Sequence, residues 1–146
     1  MESSEKVHRD IETFGWHCLY VFDAKGDKPG FTYSIGFEET FNQPEIVIFG
    51  LPRETAHGIL TDIASQYREG VTFEPGIRTS NIIGGSLEVL FMPVRQEAFA
   101  ETLGTAVRYY ERPFRAWVMF WPDKNKVLPT ESGHELELQD EGIKIV

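Results

Sequence analysis

The sequence contains a single cysteine, Cys18. No internal disulfide can form, and a lone thiol is consistent with a reducing compartment. Long apolar runs are missing as well: the longest, such as Ala116 to Trp121, fall far short of the roughly 20 residues that span a bilayer. Residues 1–13 are charged rather than apolar and do not read as a secretion signal. Basic residues are scarce beside acidic ones, with 14 Lys plus Arg against 23 Asp plus Glu, a net charge of -9 over 146 residues. Phosphate backbones bind through Lys and Arg with counterion release, so this surface argues against nucleic acid. GxGxxG and GxxxxGK[ST] loops are absent, which removes support for dinucleotide or triphosphate binding by those motifs. These absences predict a soluble, cytoplasmic protein with neither membrane nor nucleic acid as a partner.

What is present suits one globular domain. Apolar residues make up 41% of the chain, and a chain of this length buries roughly two-thirds of its unfolded surface, enough for a core without staples. No repeat or low-complexity stretch divides it. The composition shifts only near the end, where Glu131, Glu135, Glu137, Asp140 and Glu141 face Lys144 alone. We divide the chain accordingly into a domain over residues 1–133 and an acidic segment over 134–146. The alternation in the latter suggests a hairpin or edge strand, with a solvated tail as the alternative.

Periodicity predicts the elements. Ser3 or Ser4 can cap a helix carrying Val7, Ile11 and Phe14, and Gly15 is placed to stop it. Trp16 to Phe22 and Phe31 to Phe37 alternate as strands around the turn-forming residues 24–30. Glu45 to Gly50 is an apolar run too short for a helix, which predicts a central strand covered on both sides. Pro52 then precedes a clean helical stripe of Ala56, Ile59, Leu60, Ile63, Ala64 and Tyr67. Leu87 to Val94 reads as a strand, Gln96 to Tyr110 as one helix, and Phe114 to Trp121 as a last strand. Gly84-Gly85 reads as a hairpin turn. Strands arriving in groups predict an α+β fold, with a mainly antiparallel sheet and about three helices packed on one face.

Complete catalytic constellations are not visible. His8, His17, His57 and His134 are scattered without metal-ligand spacing, so neither a metal nor a cofactor is implied. His8 and Glu12, one turn apart, read as a surface ion pair. Ser34 is followed by Ile35-Gly36, but Thr32 stands where a nucleophile elbow needs glycine. The aromatic content of 13% reads mostly as core. Arg108, Arg112 and Arg115, among Tyr109, Tyr110 and Phe114, form the one local basic cluster, suited to a phosphate, to a partner carboxylate or to a helix end.

Laid out in order, Gly15-Trp16, Phe31-Thr-Tyr-Ser-Ile-Gly36, Pro44-Glu45, Trp121-Pro-Asp123 and Pro129-Thr-Glu131 resemble a family of bacterial domains of unknown function, the DUF4262 type. The resemblance runs from about Ile11 to Gly133 and departs at Thr130, where that family often carries an aromatic residue. It implies positions of interest rather than a reaction. Of these, Tyr33, Ser34, Glu45, Trp121, Asp123 and Glu131 are polar or amphipathic groups that packing alone does not require. Glu45 is the oddest, since a carboxylate opening a central strand needs water or a partner such as Arg78.

If Tyr33, Ser34, Glu45 and Asp123 converge at one sheet edge, they make a polar pocket walled by Trp16 and Trp121. The alternative is an internal hydrogen-bond network that fixes strand ends. Two functional readings follow. One is a non-catalytic binding or interaction module, such as an acidic inhibitor or immunity-type protein that captures a cationic protein. The other is a small hydrolase or ligand-processing enzyme acting on a small molecule, with Glu45 or Asp123 as acid or base and Tyr33 or Ser34 orienting the substrate.

Overall fold

The side chains of Glu45–Phe49 alternate between two covered faces. Ile46 and Ile48 enter one apolar cluster, Val47 and Phe49 another, and all five residues are buried. This is the condition that makes a continuous apolar run stable as a strand. The computed structural model describes residues 4–146. Its elements are α1 (Ser4–Phe14), β1 (His17–Val21), β2 (Phe31–Ile35), α2 (Phe37–Phe41), β3 (Glu45–Phe49), α3 (Arg53–Arg68), β4 (Arg78–Thr79), β5 (Val89–Pro93), α4 (Phe99–Thr102), α5 (Gly104–Tyr110), β6 (Ala116–Phe120) and α6 (Asp140–Ile143).

The strands form one six-stranded sheet in the order β1-β2-β3-β6-β5-β4. Neighbours run antiparallel except the central pair β3 and β6, where Glu45 lies beside Ala116 and Val47 beside Val118. The fold is α+β, and its sheet is mainly antiparallel.

Helices cover both faces, not one. Val7 and Ile11 of α1, with Leu103, Ala106 and Tyr110, pack on the face of Tyr33, Ile35, Val47 and Val118. The α3 stripe from Ala56 to Tyr67 packs on the opposite face, against Ile46, Ile48, Phe91 and Met119. Once β3 is apolar on both sides, a single helical layer would leave half of it in water.

Other elements depart from the periodic reading. The helix expected over 96–110 is broken into a 3-10 turn at Gln96–Ala98, α4 and α5. Leu103 takes a non-helical conformation and Gly104, a poor helix former, follows it. The strand ending at Phe37 stops at Ile35, because Gly36 at φ 121° turns the chain into α2. The strand expected over 87–94 is confined to β5, and Gly84-Gly85 lies in a longer loop between β4 and β5. The alternation after His134 forms no strand: the segment is loop followed by α6. Ser4 is helical rather than a cap, and Ser3 lies outside the described residues. His8 Nδ1 bonds the Ser4 carbonyl at 2.8 Å and its ring lies against Tyr109, so the expected pair with Glu12 is not its partnership.

Candidate functional site

Glu45 sits at the head of β3 with no exposed surface. The Ser34 hydroxyl donates to its Oε1 at 2.7 Å and in turn accepts the Ile46 N–H at 3.0 Å. The N–H groups of Gly36 and Phe37 donate to the carboxylate at 3.0 Å each, and that of Glu38 at 3.2 Å. The Tyr110 hydroxyl, from the end of α5, donates to Oε2. This convergence comes from Gly36: its positive φ aims the first amides of α2 at the strand, and it lies so close to Gly15 and Trp16 that a Cβ would fall 2.7 Å from the Gly15 oxygen. The Gly15-Trp16 pair and Gly36 are therefore two sides of one contact.

Burial pushes the Glu45 carboxyl from 4.5 up to about 7, against the pull of the Tyr110, Ser34 and backbone donors. The same burial, together with the Glu45 charge, raises the phenols of Tyr67 and Tyr110. Both Glu45 oxygens are occupied by internal donors, so the group caps α2 and ties it to β2, β3 and α5. Arg78 is not its partner. That residue is on β4, and its guanidinium grips Glu131 at 2.5 and 3.2 Å, reaches the Lys126 carbonyl at 3.2 Å and lies 3.5 Å from Glu88.

Asp123 belongs to the other end of the sheet. It lies past the end of β6, whose Phe120 is about 13 Å along the strand from the Ala116 that pairs with Glu45. Its Oδ1 accepts the N–H groups of Asn125 at 2.8 Å and Val127 at 3.1 Å, and Oδ2 accepts that of Glu135 at 3.1 Å. Burial alone would raise its pKa, but these amides and the His134 imidazole hold it below the usual carboxylate range. His134 donates through Nδ1 to the Val127 carbonyl at 2.7 Å and lies 3.6 Å from Asp123. Trp121 joins this end: its indole N–H bonds the Phe49 carbonyl at 2.8 Å, and its backbone is bracketed by the Gln139 amide at 2.9 and 2.8 Å.

The sequence candidates thus fall into two groups. Ser34 and Glu45 meet, while Trp121, Asp123 and the Arg78–Glu131 pair organise the opposite end. Tyr33 enters neither, being buried in the core with its ring beside Phe31. The basic cluster is also spent internally: Arg115 forks onto Glu38, Arg112 lies over the Tyr110 ring and Arg108 reaches Thr105. Periodicity reads Tyr110 as a stripe residue, and its hydroxyl on an apolar face was the available signal. Gln139 and His134 carried none, since their partners lie across a loop.

Among the described residues no group of three or more His, Cys, Asp or Glu side chains is placed to hold a metal ion. No described helix is long and apolar enough to cross a membrane. A family model described as a domain of unknown function, DUF4262, matches residues 10–135. No curated protein and no solved structure matches the chain.

Proposed function

We propose, for a chain that belongs to the DUF4262 family, a non-catalytic binding module that captures a cationic protein through its acidic C-terminal segment. The observation that supports this reading is the way that segment is held. Asp123 fixes the Glu135 amide and Gln139 brackets Trp121, so Glu135, Leu136, Glu137 and Leu138 are presented from a fixed frame. Leu136 and Leu138 remain 39% exposed beside those carboxylates. Carboxylates alternating with half-exposed leucines suit a partner whose cations flank an apolar strip, and the overall charge of -9 would speed its approach.

The hydrolase reading requires Glu45 and Asp123 to share a site. Their placement at opposite ends of β3 and β6 gives it no support. Native mass spectrometry of the protein taken gently from its own cells tests the module reading. A basic protein should be retained at low salt and released by about 0.5 M salt, where screening shortens to a few ångströms. Neutralising Glu135 and Glu137 as glutamines should release it as well. A retained partner indifferent to both changes would overturn the proposal.

A further inference from the structure

Between α1, the start of β1 and α3 lies a cleft of about 900 Å³, large enough for a small molecule. None of its walls belongs to the acidic segment. One wall is an aromatic stack, in which the His57 imidazole lies 5.9 Å from the Trp16 ring at 25°. Trp16 is buried and His57 exposed, so the indole holds one face of the imidazole and leaves the other to the cleft. At the rim, Phe14 is 60% exposed and adds a second apolar plate.

The charges on the cleft are unequally committed. Lys6 and the His17 imidazole engage Asp10, at 3.3 and 2.7 Å. Arg68 donates to the Phe14 carbonyl at 2.6 Å and lies over the Phe41 ring. Arg53 is different: among the described residues neither its guanidinium nor the ring nitrogens of His57 have a protein partner. These two residues are one turn apart on α3, and hence on the same face of the helix. A planar fork of donors beside an imidazole supported on indole matches a carboxylate attached to a flat ring. Glu54 also lines the cleft, yet Lys6, Arg53 and Arg68 outnumber Asp10 and Glu54 there by one charge, an exception on a protein of net charge -9.

The second cavity, of about 550 Å³ beneath Phe22, Phe31 and Phe49, lacks this character. Two of the cations there, Lys28 and Lys144, are both engaged by Glu141. We propose that the cleft at Trp16 and His57 binds a small planar carboxylate, its ring against His57 and Phe14 and its carboxylate on Arg53. This goes beyond the module reading, because it concerns other residues and a ligand of the opposite charge.

The test is a titration of the full chain with 2-naphthoate, its neutral amide and the cationic 2-naphthylmethylamine, followed by NMR of the indole N–H and imidazole signals. The acid should saturate in the millimolar range or tighter, shifting Trp16 and His57. Both analogues should bind about tenfold more weakly. Arg53→Gln and His57→Ala alter exposed positions, and each should weaken the acid about tenfold with unchanged melting. Absence of saturation by about 10 mM would overturn the proposal, as would equal binding of the amine or shifts centred on Phe31 and Phe49. Failure of the salt-dependent partner capture would leave this result untouched.

Discussion

The Tyr110 hydroxyl donates to the Glu45 carboxylate across 65 positions of sequence and accepts the N–H groups of Gly36 and Glu39 at 3.1 and 3.4 Å. One phenol therefore completes the coordination of a buried charge and of a helix start. Tyr110→Phe keeps the ring and its packing but removes all of these bonds. Loss of a bond to a buried charged group costs about 1–3 kcal/mol, so the unfolding free energy should fall by that amount, read as a lower urea midpoint with an unchanged slope. Because the Tyr110 bond lowers the Glu45 pKa, the titration of Glu45 followed by carbon NMR should also move above its native value. An unchanged midpoint would mean that the carboxylate is satisfied without the phenol.

Glu45 also predicts an unusual pH dependence. Its folded pKa, about 7, lies above its ordinary 4.5, so the folded state holds this proton more tightly than the unfolded chain. The stability it contributes is complete below pH 4.5 and is lost as pH rises to about 7, a swing on the order of 3 kcal/mol. Asp10 and Glu38 act in the opposite sense. Burial would raise both, but the His17 and Lys6 bonds outweigh it at Asp10 and the Arg115 bonds at Glu38, so both sit below their ordinary values. Their contribution is lost only as pH falls through that lower range. Melting temperatures across pH 4–8 should decline from mildly acid to neutral in the native protein, and the Glu45→Gln variant should lack that part of the slope. Parallel curves for the two proteins would refute the assignment.

The parts of this fold legible in the sequence are those governed by local periodicity. The α3 stripe from Ala56 to Tyr67 and the doubly buried β3 follow from side-chain spacing alone. The oddity of Glu45 was legible too, because a carboxylate in an apolar run must be answered by something. What answers it was not: Tyr110 comes from a helix whose position depends on the whole sheet, and Arg78, the cation sequence suggests, is held at the far edge by Glu131. Nor could alternation after His134 predict a loop and helix, since that segment is shaped by Asp123 and Gln139 rather than by strand pairing.

Gly36 offers a test of how much of the site depends on close approach. At φ 121°, a Cβ there would meet the Gly15 oxygen at 2.7 Å and the Trp16 Cα at 2.8 Å, both backbone atoms that cannot swing aside. Gly26 also has positive φ, 72°, but nothing lies within 4 Å of its Cβ position. Gly26→Ala should thus cost only the conformational strain, about 1 kcal/mol. Gly36→Ala should cost clearly more, about 3 kcal/mol or above once the clash displaces the α2 amides from Glu45. Equal losses in chemical denaturation would show that conformation alone, not the contact with Gly15-Trp16, sets the requirement.

Asp123 should act as the fastening of the C-terminal segment rather than as part of the core. Asp123→Ala removes the acceptor for Asn125, Val127 and Glu135, while the Glu45 network at the opposite end of the sheet keeps all its partners. Hydrogen exchange should therefore accelerate at the Glu135 and Val127 amides and leave Phe37 and Ile46 protected. Limited proteolysis should open the chain between residues 124 and 139 first. Since amide donors and His134 hold Asp123 below its ordinary 3.8, the native fastening should persist as pH falls through that value, and exchange at Glu135 should rise only below it. If the segment presents the acidic docking surface, partner capture should fall in Asp123→Ala although the core remains folded. Unaltered protection at Glu135 would place the fastening elsewhere, with Gln139 and Trp121 as the remaining anchor.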